Sequence, residues 1–125
     1  MTTVLIVDDS PTLREVISQV LQSIGLAVVE AANGMEAQAK IEADAPDLVI
    51  TDLIMPQMNG YDLCRWLKHD PNTKSIPVLI CSTKDQEFDR YWGLKQGADA
   101  YITKPFQPPE LVQTVKRLLR GGKRN

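Results

Sequence analysis

The chain has 125 residues, and 14 Lys and Arg against 16 Asp and Glu leave a net charge of −2. That balance supplies no basic stripe of the kind nucleic acid requires, and no apolar run approaches the roughly 18–20 residues that cross a bilayer. With 43% hydrophobic and 24% charged residues, the chain is long enough to bury one core, and it reads as one domain over 1–125, with a core of about 3–120 and a short polar tail at 121–125. The opening MTTVLIVDDS has no positive segment before its apolar stretch, so a secretory signal is not expected and a cytoplasmic location is. Cys64 and Cys81 lack CxxC partners and read as reduced thiols in apolar surroundings.

In chain order, Val4–Val7 is a short β-branched run suited to a strand buried on both faces. Ser10-Pro11 then reads as a helix N-cap with proline in the first turn, followed by Leu13, Val16, Ile17, Val20, Leu21 and Ile24 at helical spacing and a stop at Gly25. Leu26–Ala31 is a second strand. Asn33, with Glu36 three residues on, predicts a capping box and a helix to about Ala43. Leu48–Thr51 is the third strand, and a loop with Pro56 and Gly60 leads to a helix carrying Leu63, Trp66 and Leu67 that stops at Asp70-Pro71. Ile76–Cys81 is the fourth strand, about Asp85 to Gln96 the fourth helix, Asp99–Thr103 the fifth strand, and Pro108-Pro109-Glu110 opens a last helix that ends before Gly121. His69, the one histidine, reads as exposed and uninvolved.

Strands alternating with helices predict an α/β domain with a parallel sheet covered on both faces. Ligands of such sheets bind beyond the carboxyl ends of the strands. Strand one is followed there by Asp8 and Asp9, strand three by Asp52, strand four by Ser82 and Thr83, and strand five by Lys104 and Pro105. Three carboxylates at close range need a cation, and oxygen-only ligands favour Mg²⁺, which takes one or two carboxylates plus phosphate oxygens. Lys104 brings a compact positive charge and Ser82 a hydroxyl. Together they are parts for phosphoryl transfer to Asp52 as nucleophile, with charge neutralisation supplying most of the rate.

The motifs VLIVDDS, DLVITDLIMPQMNGYDL, PVLICST and GADAYITKPF, in this order, resemble those of response-regulator receiver domains, and the likeness covers essentially the whole chain. The resemblance implies a doubly wound, flavodoxin-like (βα)5 fold with a five-stranded parallel sheet in the order 2-1-3-4-5. It implies that a histidine kinase phosphodonor loads Asp52, that Asp8, Asp9, Asp52 and the Ile54 carbonyl hold Mg²⁺, with Asp9 the direct ligand of the pair and Mn²⁺ a substitute, and that the Lys104–Pro105 bond is cis. Ser82 matches the switch hydroxyl, Lys104 the lysine on the phosphoryl group, and Tyr101 the aromatic that changes rotamer with Ser82. Ile54 and Lys84 occupy positions that tune phosphoryl loss, and aliphatic Ile54 implies a slow loss. The output face implied is helix four, strand five and helix five, with Trp92, Lys95, Tyr101, Phe106 and Gln107 as contacts; core packing is the alternative for Trp92 and Phe106.

No output domain is expected after residue 120, so the partner implied is a downstream protein, with no nucleic acid and no membrane, and the chain a monomer or a weak phosphorylation-dependent dimer. EFDRYWGLKQGADAYITKPFQPPELV resembles receivers of pilus-based and phototactic motility in cyanobacteria. Three readings compete: an FMN carrier of the same fold, against which Asp8-Asp9-Ser10-Pro11 repels phosphate; an aspartyl phosphohydrolase, which lacks its DxD pattern here; and a receiver used only for binding.

Overall fold

The computed structural model describes residues 1–121; of the tail, residues 122–125 lie outside the described residues. Five strands, β1 (Thr3–Val7), β2 (Ala27–Ala31), β3 (Leu48–Thr51), β4 (Val78–Ser82) and β5 (Ala100–Thr103), alternate with five helices, α1 (Pro11–Gln22), α2 (Gly34–Ala43), α3 (Gly60–His69), α4 (Glu87–Lys95) and α5 (Pro108–Leu119). The sheet is parallel throughout, in the order β2-β1-β3-β4-β5. The expected doubly wound fold is the one observed.

Strands β3 and β4 are buried along their whole length and β1 from Val4 on, which is why the sequence shows continuous apolar runs there rather than alternation. Side chains of alternate parity feed two cores. Leu5, Val7, Val49, Val78 and Ile80 meet Leu63 and Leu67 of α3 on one face. Val4, Ile6, Ile50, Leu79 and Ile102 meet Ile17 and Leu21 of α1 and Leu111, Val115 and Leu118 of α5 on the other. Both cysteines are free and buried in these layers, and burial pushes the Cys64 thiol up to about 11 and the Cys81 thiol up to about 12.

Helix starts follow local chemistry. Ser10 accepts from the Leu13 amide (3.2 Å) and Pro11 opens α1. Asn33 accepts from the Glu36 amide (2.8 Å), but the Glu36 carboxylate bonds Ala32 rather than Asn33, so the expected capping box is only half made. A full box forms instead at α3, where Asn59 and Asp62 satisfy each other's backbone amides.

Several sequence expectations shift, among them the start of β2, at Ala27 rather than Leu26. Strand β4 begins at Val78, not Ile76, because Pro77 has no N–H for the ladder, and it runs one residue further, to Ser82. Helix α4 begins at Glu87, since Gln86 is its extended N-cap. Asp99 lies outside β5 because its carboxylate accepts from the Val78 amide (2.8 Å) and from Lys68 (3.2 Å), tying the entry of β5 to β4 and α3. Val16 was expected on the buried stripe of α1 and is 44% exposed.

Candidate functional site

Strand order assembles the site. Strands β1 and β3 are neighbours, with Val7 level with Thr51, so the residues that follow, Asp8 and Asp52, emerge side by side. Strands β4 and β5 pair Ser82 with Thr103, and the chain then turns at Lys104. Backbone bonds fix these exits: Asp8 N–H to Ala31 (3.1 Å), Asp52 N–H to Val7 (2.9 Å) and Lys104 N–H to Ser82 (2.8 Å). The Lys104–Pro105 peptide is cis, as expected.

Carboxylate oxygens of Asp8, Asp9 and Asp52 lie within 4.8 Å of one another. Such a set is hard, oxygen-only and overcharged, the donor chemistry that fits Mg²⁺. Lys104 Nζ stands against it, 2.9 Å from Asp8 Oδ2 and 3.5 Å from Asp52 Oδ1. Asp8 is buried and also accepts from the Ser10 amide (2.9 Å), while Asp9 is exposed. Asp52 accepts from the Leu53 amide (2.8 Å). Burial lifts its carboxyl above the ordinary carboxylate range, Lys104 opposes that, and the Asp8 charge adds to it.

The loop after β3 is held against the site by close backbone packing. A Cβ on Gly60 would lie 2.4 Å from the Asp52 carbonyl oxygen, so only glycine fits where α3 begins. Gln57, in the same loop, takes a left-handed φ of 71° without being glycine. Ile54 projects outward, 54% exposed.

Ser82 is fully buried, and its hydroxyl accepts from the Lys84 amide (3.2 Å). The Tyr101 ring is tucked in, 8% exposed, with its hydroxyl donating to the Lys84 carbonyl (2.8 Å). Burial is the main cause that pushes this phenol up to about 12, partly offset by a hydrogen bond with Ser82. The loop of Thr83 and Lys84 is therefore held from below by both residues expected to switch.

The residues expected on the output face divide. Trp92, Lys95 and Gln107 are exposed, Phe106 packs half-buried against the second core, and Tyr101 lies beneath α4. Sequence reading missed Phe88, which stacks on Trp92 at 6.1 Å, and Tyr91, whose ring faces Lys95. The spacing of 88, 91, 92 and 95 on one helix was the available signal. It also missed Arg90, which donates to the Tyr101 carbonyl (3.1 Å) and the Thr103 hydroxyl (2.8 Å). His69 is exposed.

A family model, the response regulator receiver domain, matches residues 4–116. The chain belongs to that family. It is a receiver domain of two-component signalling, and the relatives it matches over most of their own length include stand-alone receivers of the chemotaxis and pilus type. Protein PilH of Pseudomonas aeruginosa is 42% identical over 121 residues, which cover 97% of this receiver and 100% of PilH. Protein PilG of the same organism is 38% identical over 113 residues, covering 90% of this receiver and 84% of PilG. The crystal structure of the chemotaxis response regulator CheY4 of Vibrio cholerae superposes with a TM-score of 0.88 at 35% identity, over 94% of this receiver and 98% of that chain. Among the described residues no helix is long and apolar enough to cross a membrane.

Proposed function

We propose that this receiver takes a phosphoryl group from a histidine kinase phosphodonor onto Asp52, and that the modified chain changes its affinity for a downstream protein. The observation that carries the reading is the convergence of three carboxylates and one ammonium at the strand ends. Asp8, Asp9 and Asp52, with the Ile54 carbonyl, would hold Mg²⁺, which when bound neutralises charge on the carboxylates and on the transferring phosphoryl oxygens.

The chain's own residues do the rest. Asp52 offers a carboxylate oxygen as nucleophile; burial disfavours its ionised form, Lys104 favours it, and the added charge of a phosphoryl group calls for the cation and the ammonium beside it. Lys104 is within reach of a group on Asp52 and can exchange Asp8 for a phosphoryl oxygen. Ser82 has its O–H to donate to that group, and a rotation that carries its oxygen toward Asp52 draws it away from the Lys84 amide, whose bond it accepts. Releasing Lys84 loosens the loop into α4, the helix that carries Phe88, Tyr91, Trp92 and Lys95, and that loop is the bistable element the modification biases. Output by protein contact within the cytoplasm, in pilus-based motility or phototaxis, completes the reading; the likeness to PilH and PilG over most of their length supports the stand-alone, pilus-type part of it.

The test is a small-molecule phosphodonor with Mg²⁺, followed by intact mass of the wild type and Asp52→Ala. A phosphoryl adduct on the wild type, lost in the variant and in chelator, is expected; an adduct that survives in the variant removes Asp52 from its role.

A further inference from the structure

Arg14 lies on the first turn of α1, outside the acidic cluster, yet it reaches two separate segments. Its Nη1 donates to the Asp8 carbonyl, and its Nε donates to Glu30 Oε1 at 2.9 Å. The Arg14 side chain is only 16% exposed, so this guanidinium is packed rather than waving in solvent. Glu30 is itself fixed: it sits in β2 level with Ile6, and its carbonyl accepts from Lys40 of α2.

Every polar group of Asp8 is therefore engaged. Its amide donates to Ala31, its carbonyl accepts from Arg14, and its two carboxylate oxygens accept from Ser10 and Lys104. Asp9 is exposed. What aims Asp9 at the cluster is the Asp8–Asp9 peptide, a rigid plane. Pinning the carbonyl end of that plane fixes the direction in which Asp9 leaves it.

We infer that Arg14, braced by Glu30, is a positioning residue that orients Asp9 as a metal ligand by holding the Asp8 carbonyl. The inference rests on the metal-binding reading of Asp8, Asp9 and Asp52. Its reach is through geometry and not charge, and the two differ in sign. An arginine acting only by charge repels a divalent cation, so its removal tightens binding. An arginine that orients a ligand weakens binding when removed, and outer partners of ligands typically matter about 10–100-fold in affinity.

The experiment is Mn²⁺ binding to the full chain at neutral pH, read from the free-ion paramagnetic resonance signal, with thermal unfolding run on each variant. Arg14→Ala is expected to bind about tenfold more weakly. Glu30→Ala is expected to weaken binding too, and Glu30→Gln to recover most of it, because an amide oxygen still accepts from Arg14 Nε. Tighter or unchanged binding by Arg14→Ala overturns the inference, as does equal loss in Glu30→Ala and Glu30→Gln. Should Arg14→Ala fail to fold, the Glu30 pair decides alone. A wild type that binds no Mn²⁺ overturns the metal reading and this inference together, whereas a wild type that binds while Arg14→Ala matches it overturns only the inference.

Discussion

Arg90 covers Tyr101 from outside: its guanidinium carbon stands 5.4 Å from the ring centroid while two of its nitrogens bond the Tyr101 carbonyl and the Thr103 hydroxyl. Helix α4 is otherwise held by Gly93, its one buried residue, and by the Tyr61 hydroxyl, which donates to the Asp89 carbonyl (3.2 Å). Gly93 is tight against Ile80 and Tyr101, where a Cβ would come to 3.2 Å of each. Arg90→Ala is predicted to cost about 1 kcal/mol or somewhat more, from a pair of hydrogen bonds and a ring contact. The measurable sign is selective: amide exchange in α4 speeds up while α5, packed through Leu111, Val115 and Leu118, is unchanged. Equal acceleration in both helices would show that Arg90 supports the fold at large and not α4.

Asp52 is predicted to cost stability in its ionised form. Burial, with the Asp8 charge, raises its carboxyl above the ordinary value of 3.8 against the pull of Lys104. The folded chain therefore binds this proton more tightly than the unfolded chain. Stability contributed here is highest at low pH, falls as pH rises from the ordinary value through the raised one, and stays at its lower level at pH 7. Asp52→Asn in chelator should melt above the wild type at pH 7, by on the order of a few degrees, and the gap should close as pH falls below the ordinary value. Thermal unfolding at several pH values checks it; a gap that widens in acid contradicts the assignment.

Ile54 is exposed beside the site and cannot hydrogen-bond a water approaching Asp52. Ile54→Asn is predicted to speed loss of the phosphoryl group roughly tenfold, equivalent to about 1.4 kcal/mol of barrier. The decay of phosphorylated protein in Mg²⁺ after removal of the donor measures it, and an unchanged or slower decay counts against the reading.

Gly60→Ala is predicted to destabilise by about 1–3 kcal/mol, the usual range for overpacking, because the added methyl meets the Asp52 carbonyl and the Leu53 Cα rather than a flexible side chain. Denaturant midpoints give the cost. Since the collision displaces the backbone of Asp52 itself, divalent-ion affinity should fall with stability; a variant that loses stability and keeps full affinity would mean that α3 moves instead of the loop.

The sequence made the fold legible because each strand is a short apolar run and several helix starts have a chemical marker, as at Ser10-Pro11 and Asn33, whereas the Asn59 cap of α3 showed only in the structure. The cluster was legible because Asp8, Asp9, Asp52 and Lys104 each follow a strand directly, and parallel order brings strand ends together. What stayed hidden depends on contacts between distant residues. Nothing local shows that Arg14 meets Asp8 and Glu30, that Arg90 crosses to β5, or that Asp99 is drawn out of its strand by Lys68 and Val78. Boundaries failed for the same reason, and Pro77 is the exception, since a residue without an amide N–H could have been read as the start of trouble for β4. The direction of Tyr101 was beyond reach, because an aromatic in a short edge strand can point either way until α4 and Arg90 close over it.

The bond between Lys104 and Asp8 joins residues 96 positions apart in the chain. A ribosome that has released β1 and β3 has already delivered all three carboxylates, but not the ammonium that faces them. The full cluster therefore comes into being only with β5 threaded beside β4, after β1 and β3 are in place. On the proposed function, a phosphoryl group on Asp52 would report that β5 has docked, since a chain in which it has not lacks the ammonium that faces the carboxylates.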